Sequence, residues 1–211
     1  MPNHVYNTVK LTGNYDDLNI LKKLLSMPQP IQLAKGRLDF QDINFYSLIS
    51  PDESIWEEYN GPEIMGRSLE ESLKFASNHW YDWNIRNWGT KWNAYDKVVC
   101  HNLDDESVDS YYITYEFNTA WSPPEGIMKA LAKKIYELKL DISFHWTYEE
   151  EQGWGGVVEN TSNGDVVEID SWDIPDSHAV MLSRTGECYC EEYEPIFDDC
   201  PKDNKTIIKE Q

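Results

Sequence analysis

Basic residues are scarce in this sequence. It has 18 lysines and arginines against 38 aspartates and glutamates, a net charge of −20. The shortage is greatest after residue 100, because residues 1–100 carry a net charge of −3 and residues 101–211 carry −17. Such a field repels phosphate backbones, so direct nucleic-acid binding is disfavoured and a basic protein is a more favourable partner. The plainer alternative is that the acidity serves solubility alone.

Long apolar runs are also missing, and no charged-then-apolar stretch of the secretory type opens the chain. We therefore expect a cytoplasmic protein without a membrane span. The sequence shows no phosphate-binding loop, no nucleophile elbow and no pair of histidines at metal-ligand spacing. With no complete catalytic set and no cofactor motif, the sequence favours a non-enzymatic function without a cofactor.

Cysteine is rare, with four in the chain, and three of them fall in the last quarter. In a cytosolic protein we expect free thiols, because disulfides are rare there. A Cys-x-Cys pair differs from the usual Cys-x2–4-Cys zinc knuckle, so we predict no metal site. Should zinc bind nonetheless, the candidate ligands are His178, Cys188, Cys190 and Cys200.

Patterns typical of strands and helices alternate over residues 1–170. The clearest strand is Tyr111–Phe117, in which large apolar side chains occupy every second position. Asn14 is a good N-cap for a helix over Tyr15–Ser26. Ser122, followed by proline, is predicted to cap a second helix that runs to about Lys139.

Further strands are predicted for Asn3–Gly13, Lys97–Leu103 and Asp141–Glu149, and Asn163-Gly164 is predicted to turn a hairpin. Leu38–Ile49 is expected to be a strand or an extended connection. Ser68–Asn78 is expected to be a short helix.

This order predicts an α+β fold, with an antiparallel sheet and helices on one face. The expected boundaries are a domain over 1–170 with a helical insertion at about 51–95, and an acidic, partly irregular extension over 171–211.

Tryptophan is concentrated in residues 80–95, with the sequence WYDWNIRNWGTKWNAY, which we call the Trp-rich segment. This segment, and FNTAWSPP at residues 117–124, resemble the YubB ferredoxin-like domain family. Its members are uncharacterised proteins typical of phages, plasmids and other mobile elements. The resemblance implies a ferredoxin-like topology, with no iron–sulfur cluster and no established activity. The family pattern departs from this chain at His4-Val5 and beyond Ser171.

Aromatic residues interleaved with amides and charged residues form either a binding surface or a structural core whose polar atoms hydrogen-bond to one another. On the first interpretation, an acidic or planar ligand binds to Trp80, Trp83, Arg86, Trp88, Lys91, Trp92 and Trp121. On the second, Trp83, Trp88 and Trp121 are buried, Asp82 or Asn87 binds an indole N–H, and Lys91 stacks outside.

Two functional hypotheses follow. The first is a non-enzymatic acidic protein of a mobile element that mimics a polyanion and so binds a basic host protein. The second is a small-ligand-binding or enzymatic module with its site at the Trp-rich segment and residues 117–124. The sequence favours the first because of the −17 charge of residues 101–211.

Overall fold

The computed structural model describes residues 3–28, 41–60, 70, 77–105 and 107–173. The chain divides into two units. The first comprises Met1–Glu151 and Gly155–Ser171. The second comprises Gln152–Trp154 and Trp172–Gln211, of which residues 152–154, 172 and 173 are described. The four candidate zinc ligands lie outside the described residues.

Six strands form one sheet in the order β2-β3-β1-β4-β5-β6. In chain order they are β1 (His4–Gly13), β2 (Tyr95–His101), β3 (Tyr111–Ala120), β4 (Ile142–Glu150), β5 (Gly155–Asn160) and β6 (Val166–Trp172). β1 is central and pairs antiparallel with both β3 and β4. The order β2-β3-β1-β4, with a helix after β1 and another after β3, confirms the ferredoxin-like α+β fold.

Four α-helices occur within the described ranges: α1 (Tyr15–Leu25), α2 (Trp56–Asn60), α3 (Trp80–Trp88) and α4 (Glu125–Glu137). Two short 3-10 helices, Phe45–Ser47 and Glu53–Ile55, precede α2. The first of these corrects our expectation of a strand or extended connection there. The predicted helix over residues 68–78 lies largely outside the described residues. No described helix is long and apolar enough to cross a membrane.

The core lies between one face of the sheet and helices α1 and α4. Alternation along β1, β3 and β4 places one set of side chains in this core, as predicted. Leu18, Leu21 and Leu25 of α1 pack against that set, together with the apolar side of α4. The other side of these strands is largely exposed, so no described element covers this face of the sheet, which we call the uncovered face.

Local signals set several element ends. The Asn14 side chain accepts the backbone N–H of Asp17 at 2.9 Å, which confirms it as the N-cap of α1. Gly164, at φ +82°, forms the turn before β6, as its Asn-Gly signal predicted. The prediction for Ser122 is wrong: α4 begins three residues later, and its cap residue Pro124 makes no side-chain hydrogen bond.

The C-terminal end of α3 lies very close to the N-terminal end of α4. A Cβ atom at Gly126 would lie 1.9 Å from the carbonyl oxygen of Asn87, far inside van der Waals contact. A Cβ at Gly89 would lie 2.9 Å from the backbone nitrogen of Glu125. Gly89 also has φ +86°, so it ends α3 in a conformation that other residues resist. These two glycines permit the approach of the helices.

Hydrogen bonds among three side chains connect the residues before α2, through α2, to α3. The Tyr46 and Tyr59 hydroxyls are 2.7 Å apart, and the Tyr59 hydroxyl donates to Asn84 Oδ1 at 2.8 Å. Burial raises the pKa of both Tyr46 and Tyr59 above the ordinary value for tyrosine. This hydrogen-bonded chain therefore depends on protonated hydroxyls.

We predict that Gly126→Ala destabilises the protein by about 1–3 kcal/mol, because the new methyl group forces α3 and α4 apart. Chemical denaturation monitored by circular dichroism measures the change. Lys133→Ala, on the exposed side of the same helix, is the control and should change stability by less than about 0.5 kcal/mol. Equal stability of the two variants would contradict the close approach.

We also predict that stability falls above the ordinary tyrosine pKa, and falls less in the double variant Tyr46→Phe with Tyr59→Phe. The folded-state pKa values are raised, so the contribution of these tyrosines is complete below the unfolded pKa of about 10 and is lost as pH rises further. Unfolding free energies at pH 8 and pH 11 give the slope, with exposed Tyr136→Phe as the control. If the double variant and the control lose stability equally, this contribution is absent.

Candidate functional site

The Trp-rich segment has a buried side and an exposed side. Trp83 and Trp88 lie in the core, where the Trp88 ring meets the rings of Phe45, Tyr46 and Trp83 edge to face. The Trp88 indole N–H donates to the Ile49 carbonyl at 3.0 Å. The sequence predicts that Asp82 or Asn87 accepts an indole N–H, but for Trp88 the backbone carbonyl of Ile49 is the acceptor.

The amides of the segment serve the local backbone. Asn84 Nδ2 donates to the Lys91 carbonyl at 2.9 Å, which links α3 to the turn that follows it. Asn93 Oδ1 accepts the backbone N–H groups of Phe45 and Ala94 at 3.0 and 2.9 Å. Asn87 Nδ2 donates to the Trp83 carbonyl at 2.8 Å. These contacts explain why so many amides occur among the tryptophans.

Residues 117–124 and the Trp-rich segment are joined through buried backbone groups. The Thr90 hydroxyl donates to the Ala120 carbonyl at 2.9 Å and accepts the Ala120 N–H at 3.2 Å, and both residues are fully buried. The Ser122 hydroxyl donates to the Gly89 carbonyl. Ser122 therefore joins two loops instead of capping α4.

Trp121 is held in an unusual backbone conformation. Its φ is +72°, in the left-handed region, which costs about 1–2 kcal/mol for a residue with a side chain. Its backbone N–H donates to the Asn3 carbonyl at 2.8 Å, and the buried Ala120 precedes it. These contacts point its indole outward, where 48% of the residue is exposed.

Lys91 lies among three aromatic rings on the exposed side. Its Nζ atom is 4.8 Å from the ring centre of Trp121, 4.9 Å from that of Trp92 and 5.2 Å from that of Tyr81. All three distances are within the range of cation–π attraction. Trp92 is 37% exposed, so two indoles border solvent here. We call the rings of Tyr81, Trp92 and Trp121 the aromatic cage.

Carboxylates lie beside this cage. Trp92 meets Tyr95 edge to face at 6.0 Å, and the Tyr95 hydroxyl lies 2.7 Å from His4 Nδ1. Partial burial raises the pKa of Tyr95, and the negative charges of Asp96 and Glu151 raise it further. Carboxylates therefore lie near Tyr95, the ring that Trp92 meets.

The predicted binding residues are thus divided among three places. Lys91, Trp92 and Trp121 come together at the cage, whereas Trp83 and Trp88 are interior. Trp80 is partly buried and packs against the core, and the exposed Arg86 donates to the Ser77 carbonyl near the start of α3. Tyr81 belongs to the cage but was not among the predicted binding residues. Its position in the same aromatic segment, directly after Trp80, is the sequence feature that could have identified it as a binding residue.

A cleft and an exposed cysteine lie away from the Trp-rich segment. A cleft of about 910 Å³ at the other end of β1 is lined by residues that include Gly13, Tyr15 and Tyr111, and by none of the predicted binding residues. Within the described ranges, no cluster of three or more His, Cys, Asp or Glu side chains could hold a metal ion. Cys100 is exposed on β2.

Comparison with known proteins supports the fold. Residues 87–186 match the family model described as the ferredoxin-like domain in Api92-like protein. The matched range contains Lys91, Trp92 and Trp121, and it begins after Tyr81. No curated protein and no solved structure matches the chain. The family match and the strand order together place a ferredoxin-like domain in this protein.

Proposed function

We propose that this protein is a non-enzymatic, cytoplasmic binding protein of a phage, plasmid or other mobile element, and that it binds a basic host protein. A host protein that normally binds nucleic acid, such as a defence nuclease, is the expected partner. Carboxylates would then occupy positions that phosphates take in its usual complex. The resemblance to the YubB family supports the mobile-element setting.

One observation carries this proposal: the strands β4–β6 and their turns form an acidic region without lysine or arginine. Residues 140–171 contain eight aspartates and glutamates and no lysine or arginine. Six of the eight are exposed: Asp141, Glu149, Glu151, Asp165, Glu168 and Asp170. Residues 140–171 therefore carry −8 of the −17 charge of residues 101–211, and this part does not depend on the C-terminal residues.

The positive charges of residues 101–173 lie on or next to α4, outside β4–β6. The four lysines of residues 101–173 all fall between positions 129 and 139, on α4 or just after it. Lys129 pairs with Glu125, and Lys133 and Lys134 pair with Glu137. These three lysines therefore already have carboxylate partners on α4, whereas β4, β5 and β6 carry no lysine or arginine of their own.

The acidic strands are aligned with the aromatic cage across the sheet. The register places Glu149 of β4 opposite Tyr6, Tyr6 opposite Asn118, and Asn118 opposite Tyr95. Glu149 and Tyr95 are thus separated by three strand spacings of about 4.8 Å each. A single protein partner can span that distance, so the uncovered face and the cage can belong to one interface.

We predict that neutralising Glu149, Glu168 and Asp170 together, as Glu149→Gln, Glu168→Gln and Asp170→Asn, weakens partner binding about tenfold at low salt. The partner is first captured from nuclease-treated bacterial lysate, and its affinity is then measured by calorimetry at several salt concentrations. A basic nucleic-acid-binding protein, retained at low salt and released at moderate salt, is the expected capture.

The matched control is Asp16→Asn, Glu53→Gln and Glu57→Gln, which changes the net charge by the same amount at exposed positions outside β4–β6. It should retain nearly all of the wild-type affinity. If both triple variants lose affinity equally, the effect is one of net charge and not of this surface. An affinity that does not depend on salt would exclude charge mimicry.

A further inference from the structure

The position of the Lys91 ammonium group is unexpected in so acidic a protein. With 38 carboxylate side chains in the chain, a half-buried lysine at the surface has many opportunities to form an ion pair. Among the described residues, however, no carboxylate lies within 4.0 Å of Lys91 Nζ, and its contacts are with three ring faces. The rings therefore form a cation site whose occupant in the free protein is a side chain of the protein itself.

The cage is built on a fixed backbone, whereas its occupant is not fixed. Thr90 is buried and anchored to Ala120, and the Lys91 carbonyl accepts Asn84 Nδ2. Trp121 is held by its N–H bond to Asn3. The Lys91 side chain has a flexible four-carbon stem, so it can leave the rings while the backbone stays in place.

The chemistry of the cage selects a cation over an anion. The three ring faces carry negative electrostatic potential and repel an anion at the position that Nζ occupies. A second cation cannot share the cage with Lys91, because two ammonium groups at this distance repel each other.

We propose that Tyr81, Trp92 and Trp121 bind an alkylammonium side chain of the partner, a lysine or a methylated lysine, and that Lys91 occupies the cage until the partner displaces it. The identity of the partner rests on the proposed function, while the cation site itself does not. Lys91 then acts as an internal competitor that lowers affinity for cations without a suitable surrounding surface.

The test measures tetramethylammonium binding by calorimetry and NMR in wild type, Lys91→Ala and Lys10→Ala. Removing the competitor should strengthen binding about tenfold in Lys91→Ala. Lys10→Ala is the matched control, because Lys10 Nζ lies over a single ring, that of Tyr112, at 5.4 Å. It should bind no better than wild type. Adding Trp121→Ala to Lys91→Ala should remove the gain.

Three results would overturn the proposal. Lys91→Ala could bind tetramethylammonium no better than wild type. It could bind tert-butanol, an uncharged molecule with the same tetrahedral frame, equally well. Wild type could instead bind benzoate through Lys91 and lose it in Lys91→Ala, which would make the site an anion receptor.

A measurement on wild type covers the case in which Lys91→Ala does not fold. Ring currents should shift the Lys91 side-chain protons upfield, and saturating tetramethylammonium should return them to ordinary values. Protons that stay shifted would contradict displacement. Because these tests use no partner, their failure leaves the acidic-surface proposal intact. Conversely, loss of salt-dependent partner binding leaves the cage result intact.

Discussion

The double hydrogen bond between the Thr90 hydroxyl and the peptide groups of Ala120 is the contact on which the other features of this region depend. A hydroxyl can donate and accept at once, so one small buried side chain satisfies both backbone groups of Ala120. This bond fixes the turn after α3 against the end of β3. The close approach of α3 to α4 at Gly126, and the outward position of Trp121, both require that alignment.

The same alignment separates the Trp-rich segment into two sides with different chemistry. Its amides bond to nearby backbone, because buried N–H and C=O groups need partners. Trp83 and Trp88 fill the interior that those amides enclose. Tyr81, Lys91 and Trp92 remain on the outer side, joined there by Trp121 from another part of the chain. The segment therefore has one side in the core and one side at the surface.

Local patterns in the sequence predicted the fold because the fold depends on local periodicity. Alternation located β3 and β4, and Asn14 located the start of α1, since each of these signals acts within a few residues. The prediction for Ser122 was wrong because its hydroxyl bonds to Gly89, which is 33 residues away in the chain. The sequence predicted Lys91, Trp92 and Trp121 as binding residues but not Tyr81, and it did not predict which tryptophans are exposed, since the rings come from α3, the turn after it and the end of β3, with no common spacing. Composition gave the acidity, but only the strand order showed that β4–β6 carry it together.

Long-range charge and short-range ring contacts would make different contributions to the proposed complex. The field of a chain with net charge −20 extends over about a Debye length, so it attracts any basic protein and discriminates poorly among them. Ring faces act only at contact and accept only a cation whose shape fits between them. Because Lys91 already occupies the cage, a cation of the partner must bind the rings more tightly than Lys91 does in order to replace it. The acidic strands would then set how often partners arrive, and the cage would set which of them remain.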